Sequence, residues 1–243
     1  MISKIKLFLQ NYRILKQYTI PRWLISDLNE APWRKAEKLG FTVFTNGEVS
    51  FAMVPVPEKS YLIGETQVTQ DVWKAVTGSL PKGKKGHNFP VNNISLEDCL
   101  NFIQKLNKLT GETFRLPTKE EWQYAAKGGT LSNNTPYAGS YNASECAWYL
   151  KNSGDSIHPV KQKRPNEIGL YDMSGNVFEW TSSEITVHPQ SIDPSDTNGI
   201  VKQIICGGCY SSDEYYLEPK HFKDWHSTTR YPTVGLRLVL DKV

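Results

Sequence analysis

Two hydrophobic patterns divide the chain. In the first 47 residues, Ile5, Phe8, Leu9, Tyr12 and Leu15 recur at helical spacing, Pro21 interrupts, and Trp33 to Leu39 predicts a second short helix stopped by Gly40. This predicts a helical extension over residues 1–47. Its apolar stripe is expected to pack on the main domain, with docking to a partner or a membrane surface as the alternative.

From Val49 onward the pattern shortens. Ser50 to Val56 reads as a strand and Tyr61 to Gly64 as the next. Three short helices then announce themselves by their caps. Thr69 opens one that runs through Val76 and stops at Gly78. Ser95 with Asp98 forms an acidic variant of the capping box ahead of Cys99, Ile103, Leu106 and Leu109. Thr118 with Glu121 forms another ahead of Trp122, Ala125 and Ala126, and Gly128-Gly129 ends that helix. Beyond residue 130 polar loops dominate, and such loops need tryptophans, buried hydrogen bonds or ions to hold them. Gly235 to Leu240 reads as the clearest late strand.

Composition narrows the function classes. Of 243 residues, 39% are hydrophobic and 22% charged, which fits a folded domain rather than a disordered chain. Lys and Arg total 28 against 25 acids, a formal charge of +3, and the two signs are interspersed, so a nucleic-acid partner is not expected. No run reaches the roughly 18 apolar residues of a membrane span, and no secretory signal opens the chain, so the expected location is cytoplasmic. Four cysteines are too few for a disulfide scaffold, although Cys206 and Cys209 form a C-x-x-C.

Four segments carry a resemblance: Gly64 to Gln70 (GETQVTQ), Phe114 to Trp122 (FRLPTKEEW), Gly169 to Trp180 (GLYDMSGNVFEW), and Gly207-Gly208 with Gly235-Leu236-Arg237. In this order they resemble the formylglycine-generating-enzyme, or sulfatase-modifying-factor, superfamily from about residue 49 to 240. The resemblance implies an α+β domain of the C-type-lectin-like fold with little regular secondary structure, over residues 48–243. It also implies a structural Ca²⁺ held by the Asp172 and Glu179 side chains and the Gly175 and Val177 carbonyls, a donor mixture of the kind calcium takes. The family often has Asn where this chain has Asp172. A metal-free turn with Glu179 paired to an arginine is the alternative. Arg115 is expected to tie a loop down, and Trp122, Trp148 and Trp180 to be structural rather than sugar-stacking platforms.

The superfamily's oxidases use two cysteines to bind copper(I), because soft thiolates select that ion. Counted from Gly207-Gly208, those positions fall on Ser212 and Leu217, so no catalytic residue and no copper are expected. An oxidoreductase using Cys206 and Cys209 instead is the alternative, though a redox C-x-x-C normally opens a helix. In the family, residues 210–233 line the substrate groove. That stretch mixes rigid aromatics with short polar side chains, as recognition surfaces do. Tyr210, Ser212, Asp213, Tyr215, Tyr216, His221, Lys223, Asp224, Trp225, His226, Thr228 and Thr229 are therefore the candidate ligand-binding residues. The expected function is non-catalytic binding of a protein or small molecule through residues 210–233, with a retroelement-diversified variable protein, a class that shares this fold, as its finer form.

Overall fold

A computed structural model describes residues 42–45, 49–187 and 200–242, so the two helices expected in the N-terminal extension lie outside the described residues. The local signals around the helices are met. Thr69 accepts the Val72 N–H and caps helix α1, Gln70–Thr77, which ends at Gly78. Ser95 and Asp98 exchange bonds with each other's backbone at the start of helix α2, Leu96–Thr110. Thr118 and Glu121 do the same for helix α3, Lys119–Ala126. Helices α1 and α2 meet through stacked Trp73 and Phe102 rings, 4.8 Å apart.

The strands assemble in an order that sequence neighbours do not suggest. Strands β1 (Thr42–Thr45), β2 (Ser50–Pro55), β3 (Tyr61–Gly64), β4 (Phe114–Arg115) and β11 (Val239–Asp241) form an antiparallel sheet in the order β1-β2-β3-β11-β4. Residues 42–45, which the sequence pattern placed in the extension, are thus its edge strand. A second sheet has the order β10-β7-β8-β9, from Val234–Leu236, Phe178–Val187, Ile200–Cys206 and Phe222–Trp225. Strands β5 (Ala147–Trp148) and β6 (Ser174–Gly175) make a small parallel pair. Helix α4, Ala143–Cys146, precedes β5.

The expected strand from Gly235 to Leu240 is in fact two. Residues 234–236 pair in parallel with β7, and residues 239–241 cross to the other sheet and lie between β3 and β4. The break falls at Arg237, whose fully buried guanidinium needs partners from both sheets. The core divides accordingly. One cluster joins Met53, Leu62, Phe102, Leu106, Trp180 and Leu240 between the helices and sheets. The other surrounds Trp122 of α3 with Ile63, Ile204, Cys206 and Val239. Arg115 bonds both Glu121 and Asp241, tying the capping box of α3 to β11.

Candidate functional site

Strand β8 ends at Cys206, and the chain turns sharply through Gly207 and Gly208, at φ 100° and 75°. A side chain at Gly208 would meet Leu217 and the Tyr216 carbonyl at 2.9 Å, so only glycine lets the following loop close back. That turn decides the fate of four candidate residues. Cys206 is fully buried in the cluster around Trp122, and burial, reinforced by the Glu179 charge, raises its thiol well above the ordinary cysteine range. Cys209 lies in the other cluster, 3.3 Å from the Ser211 and Ser212 hydroxyls. The two thiols of the C-x-x-C thus sit in separate core clusters. Ser212, buried, accepts the Cys209 N–H at 3.0 Å. Leu217 is sealed among Ala143, Ala147 and Tyr149, while its carbonyl accepts the Ser174 hydroxyl at 2.7 Å.

The other candidates of residues 210–233 fall into three groups. Asp213 caps the one-turn helix Glu214–Leu217, which carries Tyr215 and Tyr216 against His221 and against Lys223 of β9. The rings of Tyr215 and His221 stack 3.6 Å apart, Tyr215 meets Tyr216 edge-on at 5.0 Å, and the Lys223 ammonium sits 4.0 Å from the Tyr216 centroid. Tyr215 keeps 55% of its surface exposed, while Tyr216, His221 and Lys223 are half-buried and Tyr216 packs on the core behind it. Leu150, also exposed, donates its N–H to the Ser212 carbonyl, and Lys151 pairs with Glu214 at 2.7 Å.

The second group holds the scaffold. The Tyr210 carbonyl accepts the Ser153 hydroxyl, Asp224 pairs with Lys202 at 2.7 Å, and Trp225 packs on Tyr231 at 3.8 Å. The third group, His226, Thr228 and Thr229, lies in the turn after β9, where the Thr229 N–H bonds the His226 carbonyl. Next to this turn, Arg230 forms a two-pronged bond to Asp98. Arg230 borders a groove of about 600 Å3 with a floor of Trp73 and Phe102 and a rim that includes Lys82 and Lys105. These groove residues escaped the sequence reading because they come from three separate segments.

Trp122 and Trp180 have no exposed surface, and Trp148 is covered by His158 at 3.8 Å and by the Lys163 ammonium at 4.0 Å. Trp122 and Trp180 are therefore enclosed in the core, while Trp148 is half-buried between His158 and Lys163.

The expected calcium ligands lie together, but other partners hold them. The Glu179 carboxylate accepts from Arg237 Nε and Nη2 at 2.9–3.2 Å and from the indole N–H of Trp122. The Gly175 and Val177 carbonyls, with that of Asp172, accept from the Gln67 amide at 3.3, 2.8 and 3.2 Å. Asp172 Oδ2 accepts the Lys161 N–H at 3.0 Å, which leaves Oδ1 as the one carboxylate oxygen of the set without a partner. With the carbonyls turned to an amide donor and Glu179 to a guanidinium, this set matches poorly the six to eight oxygen ligands, waters included, that Ca²⁺ gathers.

Asp172 is costly where it stands. Burial pushes its carboxyl up to about 6, against the opposing Lys161 N–H bond and Arg237 charge. The folded chain holds this proton more tightly than the unfolded chain, so stability falls as pH rises from about 4 to 6 and stays lower above. Asp172→Asn is expected to gain about 2–3 kcal/mol at neutral pH and to flatten that slope, read by urea denaturation across pH. The residue's φ of 56° suits Asn equally well.

Short capped helices, two small sheets and long packed loops define a C-type-lectin-like domain. The chain belongs to the sulfatase-modifying factor enzyme 1-like domain family, whose model matches residues 38–242. It is similar to the chaperone protein LppX of Paenibacillus barcinonensis, with 30% identity covering 82% of this chain and 86% of that protein. Against the formylglycine-generating enzyme of Thermomonospora curvata the identity is 25%, covering 83% of this chain and 74% of the enzyme. The solved structure of Treponema denticola variable protein 1 superposes with a TM-score of 0.71 and 26% identity, covering 83% of this chain and 99% of that one. The chain spans less than half the length of the vertebrate relatives it matches. Among the described residues no helix is long and apolar enough to cross a membrane.

Proposed function

We propose that this chain is a non-catalytic binding module of its family and that the Tyr215–Tyr216–His221–Lys223 ladder is its contact surface. One observation carries the reading. Of the two positions where the family's oxidases keep copper-binding thiols, one is a buried serine bonded within a turn and the other a leucine sealed in the core, while the residues between and after them form an aromatic ladder with Tyr215 exposed and Tyr216, His221 and Lys223 half-buried behind it. Aromatic rings give area at low entropic cost, and His221 and Lys223, lying over the faces of Tyr215 and Tyr216, add polar groups to the surface. A relative named a chaperone protein and a structural neighbour named a variable protein support a protein partner over an oxidised substrate.

Copper(I) titration, followed by mass spectrometry of a cysteine-containing peptide incubated with the protein, tests this. Neither stoichiometric copper uptake nor cysteine-to-formylglycine conversion is expected, and observing both overturns the reading. The finer form is a retroelement-diversified variable protein. It is tested by close relatives over residues 209–234: variation concentrated at exposed positions such as Tyr215, His226 and Thr228 supports it, and uniformity there rejects it.

A further inference from the structure

We propose that Gln67 and Arg237 together take the place of a calcium ion in the loop 172–179, and that Gln67 is the residue that makes this chain independent of calcium. Three carbonyl oxygens, of Asp172, Gly175 and Val177, point at one nitrogen, Gln67 Nε2. Converging carbonyls repel one another and need an electropositive centre, most of all where burial excludes water. Gln67 has no exposed surface, and its amide is a donor that all three carbonyls share. With two hydrogens for three acceptors, the amide gives its best bond to Val177 at 2.8 Å and shares the rest between Asp172 and Gly175 at 3.2 and 3.3 Å. These are hydrogen-bond lengths, well beyond the 2.3–2.6 Å of calcium–oxygen contacts.

Arg237 supplies the charge. Its guanidinium, fully buried like Glu179, neutralises that carboxylate and also donates to the Gly64 and Tyr171 carbonyls, each at 2.8 Å. An ion added here would face a fixed guanidinium. Of the two acids in the loop, Glu179 is already matched. The neutral amide therefore serves the three carbonyls without adding charge beside the guanidinium, at the cost of leaving its own Oε1 and Asp172 Oδ1 buried without donors. Gln67 itself sits in the Gly64 to Gln70 motif, far from the loop in sequence, so one side chain from outside the loop holds its carbonyls together.

The test is thermal melting of the full chain in excess EGTA and in millimolar calcium chloride, with the metal content of the purified protein measured alongside. The wild type is expected to melt within about 1 °C under both conditions and to carry no calcium. Gln67→Glu places a carboxylate against the three carbonyls. It is expected to melt roughly 5–10 °C lower in EGTA and to recover most of the loss when calcium is added. A wild type that gains several degrees with calcium and retains one ion per chain overturns the proposal, as does a folded Gln67→Glu protein indifferent to calcium. Should that variant fail to fold, Gln67→Leu, which removes the donors without adding charge, decides. It is expected to melt below the wild type in EGTA, and equal stability overturns the proposal.

Discussion

Arg237→Met is expected to cost about 3–5 kcal/mol, lowering the melting temperature by roughly 6–20 °C, because it leaves the Glu179 carboxylate charged and buried. The side chains of both residues have zero exposure, so water cannot compensate. The same arginine also serves the Gly64 and Tyr171 carbonyls, which lose their donors in the variant. A double-mutant cycle with Glu179→Gln separates the two contributions. If the pair dominates, the double variant is more stable than the sum of single losses predicts, since removing the second charge cancels the desolvation cost of the first. Additive losses would mean that the carbonyl bonds, and not the ion pair, carry the stability.

Gly175→Ala is expected to be comparably severe. A Cβ there would stand 2.3 Å from the Trp148 carbonyl oxygen, on backbone and not on a side chain that could swing away. The position also has a φ of 86°, which disfavours any L side chain. Overpacking and backbone strain together come to about 2–6 kcal/mol. Gly154→Ala is the matching control: its φ is similarly positive, at 61°, but nothing lies within 4 Å of the new methyl. Strain alone should make that variant lose about 1–3 kcal/mol. Guanidinium denaturation of the two variants side by side measures the difference, and equal losses would show that the close approach to Trp148 is not what fixes Gly175.

The helices of this domain were legible because their signals are local. The hydroxyl of Thr69 and the reciprocal pairs Ser95–Asp98 and Thr118–Glu121 act within four residues, and each cap formed where the residues promised. The expectation of one strand from Gly235 to Leu240 failed because Arg237 interrupts it in service of Glu179, 58 residues away. Hydrophobic alternation carries no information at that distance. Residues 42–45 follow the helical pattern of the extension closely in sequence, yet their partner is the strand at 50–53, so a boundary drawn at a change of period cut them off.

Within the recognition segment, residue type alone made Ser212, Asp224 and Trp225 look as available as Tyr215 and His221. The structure engages the first three with Cys209, Lys202 and Tyr231 and leaves Tyr215 of the aromatic ladder outward. The expected calcium ligands share a loop, and their proximity was readable. What the loop closes around was not, because Gln67 lies 105–110 residues earlier.

Strand β11 lies between β3 and β4, so residues 239–241 fill the middle of a sheet begun at residue 42. During synthesis on the ribosome, β3 and β4 emerge with facing edges that stay open while well over a hundred further residues are made. Open edges of this kind invite pairing with other chains. The five-stranded sheet is therefore complete only once residues 239–241 arrive, and a nascent chain stalled short of them leaves β3 and β4 without the strand that joins them.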